Sequence, residues 1–187
     1  MKILFINACV RTESRTLELA QYLLSGLDGE ITKIDLEKED ILPLKEKTLE
    51  KREQLVRAQK FDDMFFHYAR EFAEADEIVM AAPYWDLSFP SLLKIYLEAV
   101  TVSGVTFQYD AGVPKGMCHA KRLFYVTTAG GPIFADFGYS YVKTLAENFY
   151  GIGETICFKA ENLDVEGADV AALIGKTKKE MELFCGL

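Results

Sequence analysis

Short apolar runs alternate with amphipathic stretches along the whole chain. The first and third runs have the nearly continuous hydrophobicity of strands that are buried on both faces of a sheet. The second run, from Glu30, alternates only loosely between apolar and polar residues and is expected nearer an edge. The predicted strands are Lys2–Ala8, Glu30–Leu36, Glu77–Ala82, Arg122–Thr128 and Glu154–Lys159.

Apolar residues recur at helical spacing between these runs. The longest such stretch is predicted to break in the middle, with Asp62 and Asp63 at the N-terminus of its second half. The predicted helices are Leu17–Leu27, Thr48–Ala75, Ser91–Val102, Tyr139–Tyr150 and Gly167–Phe184. Regular alternation of strand and helix predicts an α/β protein with a five-stranded parallel sheet and helices on both faces.

Two strand orders suit this alternation, 2-1-3-4-5 and 3-2-1-4-5. In both orders, ligands bind beyond the carboxyl ends of the strands, where the order reverses. The segments that follow the first, third and fourth strands are therefore the expected ligand loops. They span residues 9–16, 83–90 and 128–136.

Composition and charge narrow the function. The 187 residues predict one domain over residues 1–187. The net charge of -8 argues against nucleic-acid or anionic-membrane partners. No stretch reads as a secretory signal or a transmembrane segment. The four cysteines form no CxxC pair and no metal-ligand spacing with His67 or His119, so we expect reduced thiols, no metal and a cytoplasmic location.

The loop after the first strand carries the features of a phosphate site. Ser14 and Thr16 are hydroxyl residues at a helix start, and Arg11 and Arg15 add positive charge to an acidic protein. Free N–H groups, hydroxyls and arginines at a helix N-terminus bind phosphate. The loop has no glycine and lacks the GxGxxG dinucleotide pattern, which favours a monophosphate. An ordinary capped helix with solvated arginines is the alternative.

The loop after the third strand offers an aromatic wall. Pro83 ends the strand, and Tyr84, Trp85, Asp86 and Leu87 follow it directly. Aromatic side chains at the carboxyl end of a strand suit a flat ring, although a loop anchored by Trp85 is the alternative explanation.

The loop after the fourth strand offers close backbone approach. Thr128 and Ala129 precede Gly130 and Gly131, which allow positive φ and a tight turn. Backbone N–H groups in this loop are predicted to bond the edge of a heterocycle. Phosphate donors, an aromatic wall and glycines on one rim together indicate FMN.

The predicted helix Ser91–Val102 is apolar around most of its circumference. Such a helix needs burial on two sides, and the sheet covers only one. A second subunit in a C₂ dimer is the favoured cover. The alternative cover is the 38–60 segment of the same chain.

Four segments together resemble the flavodoxin-like NAD(P)H-dependent oxidoreductases, a group that includes FMN-dependent NADH-azoreductases and NAD(P)H:quinone reductases. The likeness extends over nearly the whole chain. It rests on residues 11–16, 82–87 and 127–131, and on the distinctive Gly-Val-Thr-Phe-Gln-Tyr at residues 104–109.

The resemblance implies a three-layer flavodoxin-like fold with strand order 2-1-3-4-5 and a homodimer with FMN at each interface. NADH or NADPH would reduce the flavin, and a quinone, azo or nitro compound would then take two electrons by a ping-pong route. Ser14, Arg15 and Thr16 would hold the phosphate, residues 84–87 would line the ring and ribityl chain, and residues 128–131 would contact the pyrimidine side.

The flavin would carry the chemistry, so no catalytic nucleophile is expected. Tyr84 and Tyr139 are the side chains considered for proton delivery to the substrate. Two other functions share this pattern: a flavodoxin-type electron carrier, and a fold relative without flavin that only binds partners.

Overall fold

The computed structural model describes residues 1–185 and places the five predicted strands in one parallel sheet. The strands of this sheet are β1 Lys2–Asn7, β2 Glu30–Asp35, β3 Glu77–Ala81, β6 Arg122–Thr128 and β7 Glu154–Ala160. Strands β4 Phe107–Asp110 and β5 Val113–Gly116 form a separate pair. The sheet order is β2-β1-β3-β6-β7, which is 2-1-3-4-5 when only its own strands are counted. The flavodoxin-like architecture is therefore confirmed, and β2 lies at an edge as predicted.

Helices cover both faces of this sheet. They are α1 Arg15–Ser25, α2 Glu46–Arg57, α3 His67–Glu74, α4 Ser91–Val100, α5 Tyr139–Leu145 and α6 Val170–Cys185. Helices α1 and α6 pack on one face, where Leu19 and Met181 meet Phe5 of β1. Helices α3, α4 and α5 pack on the other face, where Tyr96 and other residues meet Ile6 of β1. Successive strand residues thus point to opposite helical layers, which explains the continuous apolar runs.

The sequence prediction missed a small hairpin between α4 and β6. Strands β4 and β5 pair antiparallel and are joined by Ala111 and Gly112, both with positive φ. Each strand has only four residues, and seven of these eight residues are half-buried or exposed. Such strands give no continuous apolar run, and Ala-Gly is not one of the dipeptides that announce a two-residue turn.

The predicted helix 48–75 is broken, as expected, and the break is wider than the pattern indicates. Helix α2 ends at Arg57, and Gln59 has a φ of 54°. A 3₁₀ turn over Met64–Phe66 then precedes α3. The Asp63 carboxylate accepts a hydrogen bond of 2.9 Å from the Phe65 N–H. Asp63 is therefore the N-cap of this 3₁₀ turn, whereas the sequence favours Asp62 as the cap and Asp63 as a first-turn acid.

The other helices differ from prediction at their ends: α1 starts at Arg15 and ends at Ser25, two residues before the predicted Leu17 and Leu27, and α4 ends at Val100 rather than at Val102. The helix that starts at Tyr139 changes to a π-helical turn over Ala146–Tyr150 and stops at Gly151, which has a φ of 77°. Helix α6 starts at Val170 rather than at Gly167. Within residues 1–185, no helix is both long and apolar enough to cross a membrane.

Helix α4 receives part of its outer cover from the same chain. The Arg52 guanidinium of α2 donates a hydrogen bond of 3.2 Å to the Glu98 carbonyl. Leu92 and Ile95 of α4 remain half-buried in the single chain. The 38–60 segment is thus one cover for this helix, and a second subunit stays a prediction.

Candidate functional site

Backbone hydrogen bonds extend the sheet beyond the ends of its central strands. The Ala8 N–H donates to the Ala81 carbonyl (2.9 Å), the Ala82 N–H to Val126 (3.0 Å) and the Tyr84 N–H to Thr128 (3.0 Å). The Thr16 and Thr128 hydroxyl oxygens lie 2.6 Å apart. The loops after β1, β3 and β6 are therefore held together at the carboxyl edge of the sheet.

These loops enclose a cavity of about 320 Å³, which falls at the small end of the range for ligand pockets. Ten of the predicted site residues line it: Arg11, Ser14, Arg15, Thr16, Pro83, Tyr84, Trp85, Thr128, Ala129 and Gly130. Five residues that the sequence did not single out also line it: Cys9, Val10, Glu13, Leu163 and Asp164. The three predicted loops thus converge, and the segment after β7 adds a fourth wall.

The start of α1 forms one end of the cavity. Ser14 is the N-cap, and its hydroxyl oxygen accepts a hydrogen bond of 3.2 Å from the Leu17 N–H. The Glu18 N–H donates to the Ser14 carbonyl. The N–H groups of Arg15 and Thr16 come before these bonds and have no partner inside the helix. This end of the cavity therefore has the donors and the positive helix dipole that an anion requires.

Arg15 is held by a carboxylate on the opposite wall. Its Nη1 donates to Asp164 Oδ1 at 2.8 Å and to the Leu163 carbonyl at 3.3 Å. A Cβ atom on Gly130 would lie 2.4 Å from Asp164 Oδ2, so the glycine leaves room for this carboxylate. Asp164 balances the charge of Arg15, which the sequence pattern did not show.

Arg11 lies against the aromatic wall. Its guanidinium carbon is 5.9 Å from the centroid of the Trp85 ring, within the range of a cation–π contact. Among residues 1–185, no acidic group lies within ion-pair distance of Arg11. Arg11 is therefore the cavity arginine whose charge a carboxylate does not already balance.

Asp86, Leu87 and Gly131 lie beside the cavity and do not line it. Asp86 and Leu87 have φ values of 49° and 68° and form a tight turn in which Trp85 and Ser88 exchange N–H···O bonds of 3.1 and 2.8 Å. Positive φ at both central residues is the geometry of a type I′ turn. Aspartate tolerates this backbone conformation, whereas leucine pays a steric cost for it.

Cys9 lies at the base of the cavity, and 4% of its surface is exposed. Burial raises the pKa of its thiol to about 11, and the thiol lies 3.7 Å from the Ala81 carbonyl oxygen. The thiol is therefore protonated at neutral pH and is not a nucleophile.

The two tyrosines considered for proton delivery have different positions. Tyr84 lines the cavity, and its hydroxyl donates to the Ala135 carbonyl at 2.9 Å. Tyr139 lines a smaller neighbouring cavity, and its hydroxyl donates to the Thr155 carbonyl at 2.9 Å. Each hydroxyl proton is thus engaged by a backbone carbonyl, and proton delivery by either stays a prediction.

The donor set suits a flat ring that carries one phosphate. Helix N–H groups and two hydroxyls lie at one end of the cavity, and Tyr84, Trp85 and the Arg11 guanidinium beside Trp85 also line it. A glycine-rich pyrophosphate loop is missing from this rim, in line with a single phosphate.

Comparisons with known proteins point to the same class of molecule. A family model described as "Flavodoxin-like fold" matches residues 1–183. An FMN-dependent NADH:quinone oxidoreductase of Lachnoclostridium phytofermentans is 34% identical over 192 residues, which cover 97% of this chain and 96% of that protein. FMN-dependent NADH:quinone oxidoreductase 2 of Clostridium acetobutylicum is 34% identical, with 94% of each chain covered.

Solved structures show the same fold. The azoreductase of Bacillus anthracis str. Sterne superposes with a TM-score of 0.86 at 20% identity and covers 99% of this chain and 98% of its own. An FMN-dependent NADH-azoreductase from Bacillus anthracis str. Ames Ancestor in complex with FMN gives a TM-score of 0.84 at 21% identity, with 100% and 98% covered. The chain therefore belongs to the flavodoxin-like family that also contains these NADH:quinone oxidoreductases.

Proposed function

We propose that this chain, an FMN-dependent NADH oxidoreductase, passes two electrons from NADH to quinone, azo or nitro acceptors by a ping-pong route. The observation that carries the proposal is the cavity at the start of α1, where an anion site and an aromatic wall meet at the carboxyl edge of the sheet. The relatives that match over almost their full length are named FMN-dependent NADH:quinone oxidoreductases, which supports the flavin, the reductant and the quinone acceptor of this proposal.

The residues of the chain divide the binding of FMN between them. Ser14, Thr16 and the first N–H groups of α1 hold the phosphate, with Arg11 as the balancing charge. Trp85 and Tyr84 line the ring, and the backbone around Thr128 bonds its edge. FMN would supply the redox chemistry at this site, namely hydride acceptance from NADH and two-electron reduction of the acceptor.

In a ping-pong route, oxidised NAD leaves before the acceptor binds, so the two can use the same face of the site in turn. The site therefore needs an opening wide enough for a planar ring at the end away from the phosphate. A homodimer with FMN at each interface completes this proposal. The half-buried Leu92 and Ile95 of α4 support it, because a partner would cover apolar surface there.

Anaerobic mixing of FMN-loaded protein with NADH tests the activity. We expect one equivalent of NADH to be consumed as it bleaches the flavin absorbance. One equivalent of a quinone, added afterwards, should restore that absorbance. A protein that NADH leaves coloured but dithionite bleaches would be an electron carrier. A protein that does not retain added FMN would be a binding relative without flavin.

Arg11→Ala is expected to weaken FMN binding by about 1.5–3 kcal/mol, roughly a 10- to 150-fold rise in Kd. The reason is that Arg11 lacks an acidic partner among residues 1–185, whereas Arg15 is paired with Asp164 at 2.8 Å. Fluorescence titration of the apoprotein with FMN measures the change.

Riboflavin, which lacks the phosphate, provides the control ligand and should bind both proteins alike. Arg57→Ala is the matched control variant, because Arg57 is an exposed arginine paired with Glu53 on α2. An equal loss for riboflavin and FMN would show that Arg11 does not bind the phosphate.

A further inference from the structure

The segment Ile133–Phe137, between β6 and α5, is fixed at several points. The Ile133 N–H donates to Glu161 Oε1 at 2.7 Å, and the other oxygen of Glu161 pairs with Lys159 at 2.8 Å. The Ala135 carbonyl accepts from the Tyr84 hydroxyl at 2.9 Å. The Phe137 N–H donates to the Leu87 carbonyl at 3.3 Å. We call residues 133–137 the aromatic segment.

The aromatic segment nevertheless presents large apolar side chains to solvent. Phe134 is 83% exposed and Phe137 is 64% exposed. Leu87, in the turn that bonds to Phe137, is 45% exposed. Neighbouring exposed apolar side chains on a firmly held backbone are typical of a binding surface.

This surface is continuous with the cofactor cavity. Ile133 and Phe134 line a second cavity of about 120 Å³, and Tyr84 lines both cavities. The hydroxyl of Tyr84 also bonds the Ala135 carbonyl, so one side chain of the first cavity is tied directly to the aromatic segment.

We infer that Phe134 is a specificity-determining residue that favours electron acceptors with fused aromatic rings over single small rings. The inference rests on the proposed function and adds an acceptor class to it. The second ring of a fused acceptor extends past its reacting ring and can contact the Phe134 side chain beside the cavity. An acceptor with a single ring lacks this part and makes no such contact. Fused-ring and single-ring quinones carry the same two carbonyl groups. The expected difference in kcat/KM between them therefore comes from apolar contact.

Phe134→Ala is the decisive variant, with Phe134→Tyr as the conservative one. We expect kcat/KM for 2-methyl-1,4-naphthoquinone to fall about tenfold in Phe134→Ala, and kcat/KM for 1,4-benzoquinone to change less than about twofold. Phe134→Tyr should retain the preference. Leu183→Ala removes another exposed apolar side chain, on α6, which is 86% exposed, and should alter neither value.

A measurement that needs no turnover accompanies the kinetics. Calorimetric titration of the FMN-loaded protein with the naphthoquinone, without NADH, should give a Kd about tenfold higher in Phe134→Ala. The Kd for FMN and the anaerobic rate of bleaching by NADH should be unchanged.

Several results would overturn the inference. Equal losses for both quinones, or an unchanged Kd for the naphthoquinone, would show that Phe134 does not contact the acceptor. Light scattering that shows a dimer dissociating in Phe134→Ala would assign the ring to a subunit interface instead. If the unchanged protein retains FMN and reacts with NADH, these failures concern Phe134 alone; if it does neither, the proposed function fails as well.

Discussion

Arg122→Ala is expected to lower the free energy of unfolding by about 3–5 kcal/mol, the cost of leaving a buried charge without its partner. Arg122 begins β6 and lies beside Glu77, the first residue of β3, in the register of the sheet. Its Nε lies 2.7 Å from Glu77 Oε1, and only 2% of Glu77 is exposed. The second oxygen of Glu77 has no hydrogen-bond partner in the described structure, so the carboxylate depends on this arginine. Urea unfolding followed by circular dichroism measures the change.

The double variant Glu77→Gln/Arg122→Ala is the control. Removing both charges should recover much of the loss, because no buried ion remains. Equal stability of the single and double variants would mean that the carboxylate of Glu77 reaches solvent without Arg122. The pair lies at the amino ends of the strands, opposite the cavity, so the FMN affinity of the folded fraction should stay the same.

Gly104→Ala is expected to destabilise the protein by about 2–5 kcal/mol. Gly104 has a φ of 90°, and a Cβ atom there would lie 2.4 Å from the Cζ atom of Phe61. The backbone strain contributes about 1–2 kcal/mol and the forced shift of the ring about 1–3 kcal/mol. Thermal and urea unfolding both report the loss.

Gly112→Ala is the matched control for this substitution. Gly112 has a φ of 83°, and nothing lies within 4 Å of the position of its Cβ atom. Its loss should be limited to the backbone strain of about 1–2 kcal/mol. Equal losses for the two variants would contradict a role of the Phe61 contact.

Gly104 opens the segment 104–109, on which much of the family resemblance rests. Its N–H donates to the Phe107 carbonyl at 2.7 Å. The buried Thr106 hydroxyl donates to the Val100 carbonyl at 2.8 Å and accepts from the Val102 N–H at 3.1 Å. These bonds turn the chain from the end of α4 into the hairpin, so the segment has a structural role in this fold.

The sheet could be predicted because burial on two faces leaves a direct mark on the sequence. The runs around Ile3–Ile6 and Ile78–Ala81 have no polar interruption, and each strand boundary falls within a residue of the prediction. The hairpin β4–β5 leaves no such mark, because its side chains are mostly exposed. The π-helical turn at Ala146–Tyr150 also has no local signature, since its sequence reads as ordinary helix.

The lining of the cavity could be predicted where neighbouring residues of one loop together indicate a binding role. Ser14 and Thr16 indicate an anion site by their position at a helix start, and Trp85 indicates a ring by its position after a strand. Asp164 was missed because its role depends on Arg15, 149 positions away in the chain. The rule that ligands bind at the carboxyl edge covers the segment after β7 too, and applying it there would have included Asp164.

Gly130 lines the cavity as predicted, but the structure gives a different reason for a glycine at this position. The sequence suggested that this glycine lets a heterocycle approach the backbone. In the structure, the space of its missing side chain is filled by the Asp164 carboxylate. Gly131, by contrast, has nothing within 4 Å of its Cβ position.

The ladder of N–H···O bonds that runs on from the central strands into Ala8, Ala82 and Tyr84 separates scaffold from selectivity. The backbone of the cavity loops is positioned by hydrogen bonds that continue from the buried sheet. The side chains of Trp85, Arg11 and Phe134 project from this backbone and take no part in those bonds. Substitutions of these side chains are therefore expected to change which ligands bind while the sheet and its loop backbone keep their hydrogen bonds.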